Sequence, residues 1–300
     1  MPVRLPRILK AAALMFVGVL AAGWPTGDDV AHAETANRTQ AIQYPWAGTD
    51  DQIVVNLAIG SLRESLMQWL TTERGVHAET LLVSIGAIAG FAAQCAVEER
   101  IRKREVPGAT RDMPGPEFSK LLHDRGLAVQ VTAKSGETYQ FGDLINGYLV
   151  RQVTTVNYPL FGILAAAAAE KGAKYDDLPD PIPMFRHASQ TIGTSEYGIL
   201  HPPKPLDPQF TPRQALDKFW PRAKFIFERT DGQGSVGPAK GRSVRPEYWP
   251  LVSALVARQF LLMAKDTIDP RIGVGLIMES AIVMSKVDPK TVPQTEPAAK

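Results

Sequence analysis

The chain has 300 residues, of which 45% are hydrophobic and 21% charged, with a formal net charge of +2. That is ordinary for a globular protein with a sizeable core, and it offers no charge excess of the kind that draws a chain to nucleic acid or to an anionic membrane surface. A lone cysteine, Cys95, excludes an intramolecular disulfide.

The first thirty-three residues have the layout of a secretory signal. Arg4, Arg7 and Lys10 precede a fourteen-residue apolar run, Ala11 to Trp24, and Ala31-His32-Ala33 supplies the small-x-small pattern that signal peptidase accepts. Cleavage after Ala33 is expected, giving a periplasmic or secreted chain that starts at Glu34. The rival expectation is a cytoplasmic protein whose start is set too far upstream. Asp28 and Asp29 in a long pre-cleavage stretch motivate it, as does a lone thiol that suits a reducing compartment.

Glu34 to Gly48 reads as a polar lead-in that docks through Tyr44 and Trp46. Thr49 or Asp50 can cap a helix over Gln52–Thr72, where Val55, Ile59, Leu62, Leu66 and Trp69 or Leu70 form one apolar stripe. Gly75 and Val76 then make a short turn, which predicts an antiparallel pairing of this helix with the next.

The next helix organises the chain. Between His77 and Arg104, the stretch Leu81–Val97 holds seventeen consecutive uncharged residues, many of them small. Glu79 sits at its start and Arg100, Arg102, Lys103 and Arg104 at its end, each sign suited to the helix dipole. Gly86 and Gly90 form a GxxxG pair, which in a bilayer would suggest helix association, but a span needs about 20 apolar residues. A central helix buried on most sides is the expectation, with no membrane span in the mature chain.

Two Pro-Gly breaks, at 107–108 and 114–115, predict a loop, then a short helix over Glu117–Asp124. Alternation over Leu127–Ala133 and again at Tyr139 and Phe141, around Gly136, predicts a β-hairpin. Asp143 is placed to cap a helix to Val150, and a further helix is expected over Leu160–Lys171, ended by Gly172. Tyr175–Pro183 reads as a loop, Met184–Thr191 as a short helix, and the proline-bearing Thr194–Pro212 as a strap packed over the surface. Thr211-Pro212 opens a helix expected to stop at Pro221, followed by a strand at Phe225–Phe227 and a hairpin turn at Asp231-Gly232. Two core helices, Pro250–Lys265 and one opened by Asp269-Pro270, precede a proline-bearing tail expected to be disordered.

The predicted class is α+β, mainly α: a helical core around a central small-residue-rich helix, with one or two small β-hairpins. Residues 34–288 are expected to form one globular domain and 289–300 the tail.

No nucleophile-elbow, P-loop, EF-hand or CxxC pattern occurs. Gly232-Gln233-Gly234-Ser235-Val236-Gly237 spells GxGxxG, but Pro238 follows where a dinucleotide site needs a helix N-terminus, so a glycine-rich hairpin tip and no cofactor is the reading. No two histidines have metal-ligand spacing, so no metal is expected. Cys95 lies mid-helix among alanines and is expected to be buried and inert. His77 and Glu79 read as a helix cap and dipole partner. Arg186-His187-Ala188-Ser189-Gln190-Thr191 gathers a cation, a base, hydroxyls and an amide; Arg186 with Gln190, and His187 with Thr191, share helix faces. The candidate ligand-binding residues are Arg186, His187, Gln190, Glu79 and Asp143. The expected function is binding of a small molecule or protein partner rather than catalysis. The alternative is an enzyme whose site assembles from distant segments around His187 and Glu79.

Overall fold

The computed structural model describes residues 44–103, 108, 117, 121, 130–132, 138–140, 160–204, 206–228 and 241–295. Its elements are α1 (Asp51–Leu70), β1 (Thr71–Thr72), β2 (Gly75–Val76), α2 (Ala78–Arg102), β3 (Gln130–Thr132) and β4 (Thr138–Gln140), then α3 (Leu160–Ala169), α4 (Pro181–Thr191), α5 (Pro212–Glu228), α6 (Trp249–Met263) and α7 (Pro270–Met284). The fold is mainly α, with two small antiparallel sheets of two strands each, β1-β2 and β3-β4.

Helix α2 lies at the centre, packed chiefly against α7, α6 and α5. Leu82, Val83, Ile85, Ala87, Ile88, Ala92 and Ala93 are fully buried. By length and composition Ala78–Ala96 could cross a membrane, but most of that window is covered by the rest of the fold, which accounts for its apolar character.

The small residues have a specific use. A Cβ on Gly86 would lie 2.5 Å from the Ile277 carbonyl oxygen, and one on Gly90 would lie 2.0 Å from that of Ala281. Both distances are far inside van der Waals contact, so α2 and α7 cross backbone to backbone. Ser280 strengthens the crossing by donating its hydroxyl to the Val83 carbonyl at 2.7 Å, a buried bond between the two helices. The GxxxG spacing thus serves close packing in a protein core.

Around this crossing the chain is fastened by aromatics. Trp46 is buried and stacks on Tyr44 at 5.4 Å, with Tyr248 edge-on at 5.3 Å, so the lead-in docks by its rings as expected. The hairpin predicted around Gly136 forms, with Val131 opposite Tyr139. The predicted helices at Glu117–Asp124 and Asp143–Val150 lie outside the described residues but for isolated positions in the first. Gly172 ends α3 with φ 86°, its N–H bonded to the Ala169 carbonyl at 2.9 Å.

Five expectations need correction. Gly75 and Val76 are not a bare turn: they pair with Thr72 and Thr71 in a small ladder, and α1 packs more on α6 and α5 than along α2. Helix α4 begins at Pro181, not Met184, because proline is tolerated in a first turn, where its missing N–H is not needed. Helix α5 does not stop at Pro221 but runs on to Glu228. Ala215, Leu216, Phe219, Trp220, Ala223 and Phe227 are buried at helical spacing, and that burial outweighs the one lost backbone bond. Phe225–Phe227 is therefore helix, with Phe225 exposed and Phe227 buried, and the strand expected before the glycine-rich stretch is absent; Gly232–Gly237 itself lies outside the described residues. Finally, the tail is not loose at its start. Val292 is buried, Pro289–Thr291 form a 3-10 turn, and Arg213 donates to the Thr291 carbonyl at 2.7 Å.

Candidate functional site

The sequence-derived candidates separate into two groups. Glu79 is buried at the start of α2, its Oε2 3.3 Å from Nδ1 of His77. His77 precedes the helix as its cap and so can meet Glu79, although two residues within a helix could not. Thr80 completes this group: its Oγ1 lies 2.9 Å from His77 Nδ1 and accepts the Gln209 N–H at 2.8 Å. Nδ1 of His77 thus stands between two oxygens, the Thr80 hydroxyl and the Glu79 carboxylate. The arrangement resembles a nucleophile and base, but Thr80 is fully buried, and its hydroxyl ties the strap to α2. Glu79 and His77 thus cap a helix and brace a loop.

The second group lies around α4. Arg186, His187 and Gln190 are exposed. Thr191, expected beside His187 as a polar partner, instead turns its hydroxyl back to the His187 carbonyl at 2.9 Å. The His187 ring meets that of His201, on the strap, edge to face at 5.9 Å. Glu279 of α7 is half-buried and within electrostatic reach of His201. Asp143 lies outside the described residues.

Glu279 and His201 were not among the sequence-derived candidates. A signal for Glu279 exists: it and Arg271 are the two charged residues between Pro270 and Met284, and Arg271 is engaged by the Asp269 carboxylate at the helix cap. Nothing local marks His201, because the ring it meets, His187, lies on another element and no spacing rule joins the two.

The inner face of α7, at Gly273, Ile277, Ser280 and Ala281, is locked on its neighbours. At 100° per residue, Gly275 and Glu279 fall on the opposite side. Burial pushes the Glu279 carboxyl above its ordinary range, with His201 opposing the shift. The folded protein therefore holds this proton more tightly than the unfolded chain does. Stability contributed by the protonated form is full below the ordinary glutamate value of about 4.3 and is lost as pH rises through the raised folded value. Glu279→Gln should consequently be more stable than the parent at pH 7, and the gap should close by pH 4. Urea unfolding at the two pH values measures this, and a Gln variant weaker than the parent at pH 7 contradicts it. Glu98, also raised by burial and by Asp288, titrates alike in both proteins and drops out of the difference.

Burial, with Glu98 adding to it, pushes the Cys95 thiol up to about 12. It stays protonated at physiological pH, and so neither a nucleophile nor a metal ligand is available there. Among the described residues no group of three or more His, Cys, Asp or Glu side chains could hold a metal ion.

Comparisons with protein-family models, with curated proteins and with solved structures found no match.

Proposed function

We propose that this chain is an exported binding protein that takes up a small ligand where α4, the strap from Thr194 to Phe210, and α7 meet. The observation that carries the reading is the exposed imidazole pair, His187 of α4 and His201 of the strap, edge to face at 5.9 Å, with the half-buried Glu279 of α7 within electrostatic reach of His201. Charged groups so placed are a common mark of functional sites. The strap adds to the reading. It is fastened at both ends, by Tyr197 donating its hydroxyl to the Val283 carbonyl and by Gln209 on Thr80, while Pro203, Lys204 and Asp207 between them are exposed.

A metabolite screen by thermal shift on the full chain tests the proposal. A ligand should raise Tm in the parent and lose its effect in His187→Ala and His201→Ala. A hit whose shift survives both substitutions places binding elsewhere, and a screen without hits favours a protein partner. A second reading, catalysis, has one observation in its favour: a raised carboxyl beside an imidazole is the pairing that proton transfer uses. It predicts that the bound compound is recovered chemically altered. Export rests on the sequence of residues 1–33, and mass spectrometry of the protein from its native host should find Glu34 as the first residue.

A further inference from the structure

We infer that the ligand of this site is a divalent late transition-metal ion, of the zinc, nickel and copper class, chelated by the imidazoles of His187 and His201; the inference rests on the binding reading above. Both side chains are exposed, and their ring centres lie 5.9 Å apart with the planes at 83°. A ring centre stands about 3.2 Å from a metal bound to one of its nitrogens at about 2.1 Å, so two rings sharing one ion have centres up to about 6.4 Å apart. The pair is inside that reach. A tetrahedral angle at the metal would set the centres about 5.2 Å apart, a closure that a small turn of either exposed side chain supplies.

The backbones beneath the two rings are fixed, which separates this pair from two histidines that meet by chance. His187 stands within α4, whose Phe185 and Ala188 are buried and which packs against α7. Its own carbonyl takes the Thr191 hydroxyl at 2.9 Å. His201 precedes Pro202 and Pro203, and a residue before proline is confined to extended backbone. Upstream, Tyr197 ties the strap to the Val283 carbonyl; downstream, the Leu206 N–H closes a turn on the Pro203 carbonyl at 2.9 Å. An ion that binds here orders little besides two side chains, which favours chelation. A neutral imidazole offers one nitrogen lone pair, the donor that zinc, nickel and copper favour, whereas magnesium and calcium prefer oxygen. An anion would need both rings protonated, and like charges this close disfavour each other. Among the described residues no third His, Cys, Asp or Glu completes the set, so water or a further ligand fills the rest of the metal's shell, as in an open site.

The probe is Zn2+ alone, titrated into the untagged full chain while NMR follows the ring signals of His187, His201 and, as a control, His77. Zn2+ should shift the first two saturably and leave His77 unmoved, and EDTA should reverse the shift; Mg2+ should move none of the three. His187→Ala and His201→Ala change exposed residues and should fold as the parent does. Each should weaken Zn2+ binding by about tenfold or more, since losing a ligand costs no less than losing its outer-shell partner. With Cu2+ in place of Zn2+, electron paramagnetic resonance should show hyperfine coupling to two nitrogens in the parent and to one in either variant. A variant that binds Zn2+ as tightly as the parent, or Mg2+ moving the same rings, overturns the chelate. If Zn2+ moves neither ring but a metabolite hit loses its Tm shift in both variants, the metal assignment is wrong and the binding site stands. If neither acts there, both are wrong.

Discussion

Phe91→Ala should cost about 3–5 kcal/mol, the usual range for removing a buried aromatic ring from a close-packed core. Phe91 is 1% exposed and meets Trp220 edge to face at 4.6 Å. Trp220 in turn lies 5.9 Å from Trp249, which stacks on Phe227 at 5.2 Å. These rings join α2, α5 and α6, so the cavity left by Phe91 opens where three helices meet, and none can move in to fill it without leaving another. Trp220→Phe offers a contrast. The indole N–H is buried and has no hydrogen-bond partner among the described residues, and phenylalanine removes that cost along with some volume. It should therefore lose clearly less than Phe91→Ala. Urea unfolding of both variants checks the order; a Trp220→Phe loss as large as that of Phe91→Ala would mean that the orphaned donor is of no consequence.

Much of this architecture is legible in local sequence, because local rules decide it. The apolar spacing of Leu81, Ile85 and Ile88 and the Asp269-Pro270 cap mark α2 and α7 without reference to anything distant. Asp269 accepts the Arg271 N–H at 2.8 Å as a capping residue should. Where tertiary burial overrides a local preference, the sequence misleads. Pro221 reads as a stop, yet the helix passes through it because Trp220 and Phe227 on either side are both buried. Pro289 and Pro293 suggest a loose tail, yet Val292 between them finds a place in the core. Rules applied unevenly also mislead: the allowance for a first-turn proline that identifies Pro212 serves equally for Pro181.

The candidate site is less legible still. His187 stands out in sequence because polar groups crowd around it. Its ring partner, His201, comes from the strap, and no spacing rule connects the two. Glu79 has the opposite history: it is conspicuous in sequence, and the fold uses it to brace His77 at a helix start. A polar residue's neighbours in space decide its chemistry, and those neighbours are set by the crossing of α2 with α7. That crossing fixes which side of α7 is locked inward and which presents Glu279.

The account therefore rests on the α2–α7 contact, and an alanine series at three helical glycines tests it most directly by urea unfolding. At Gly90 a methyl group would fall 2.0 Å from the Ala281 oxygen and 2.7 Å from its carbonyl carbon, backbone atoms that yield only if the helices part. At Gly86 the nearest atom is the Ile277 oxygen at 2.5 Å, followed by the Ser280 Cβ at 3.0 Å. At Gly60, on α1, nothing lies within 4 Å. Gly90→Ala should lose about 3 kcal/mol or more, beyond the common overpacking range, and Gly86→Ala about 1–3 kcal/mol. Gly60→Ala should instead gain up to about 1 kcal/mol from helix propensity. A Gly90→Ala protein that unfolds at the same urea midpoint as the parent would contradict the close crossing, and with it the position assigned to Glu279.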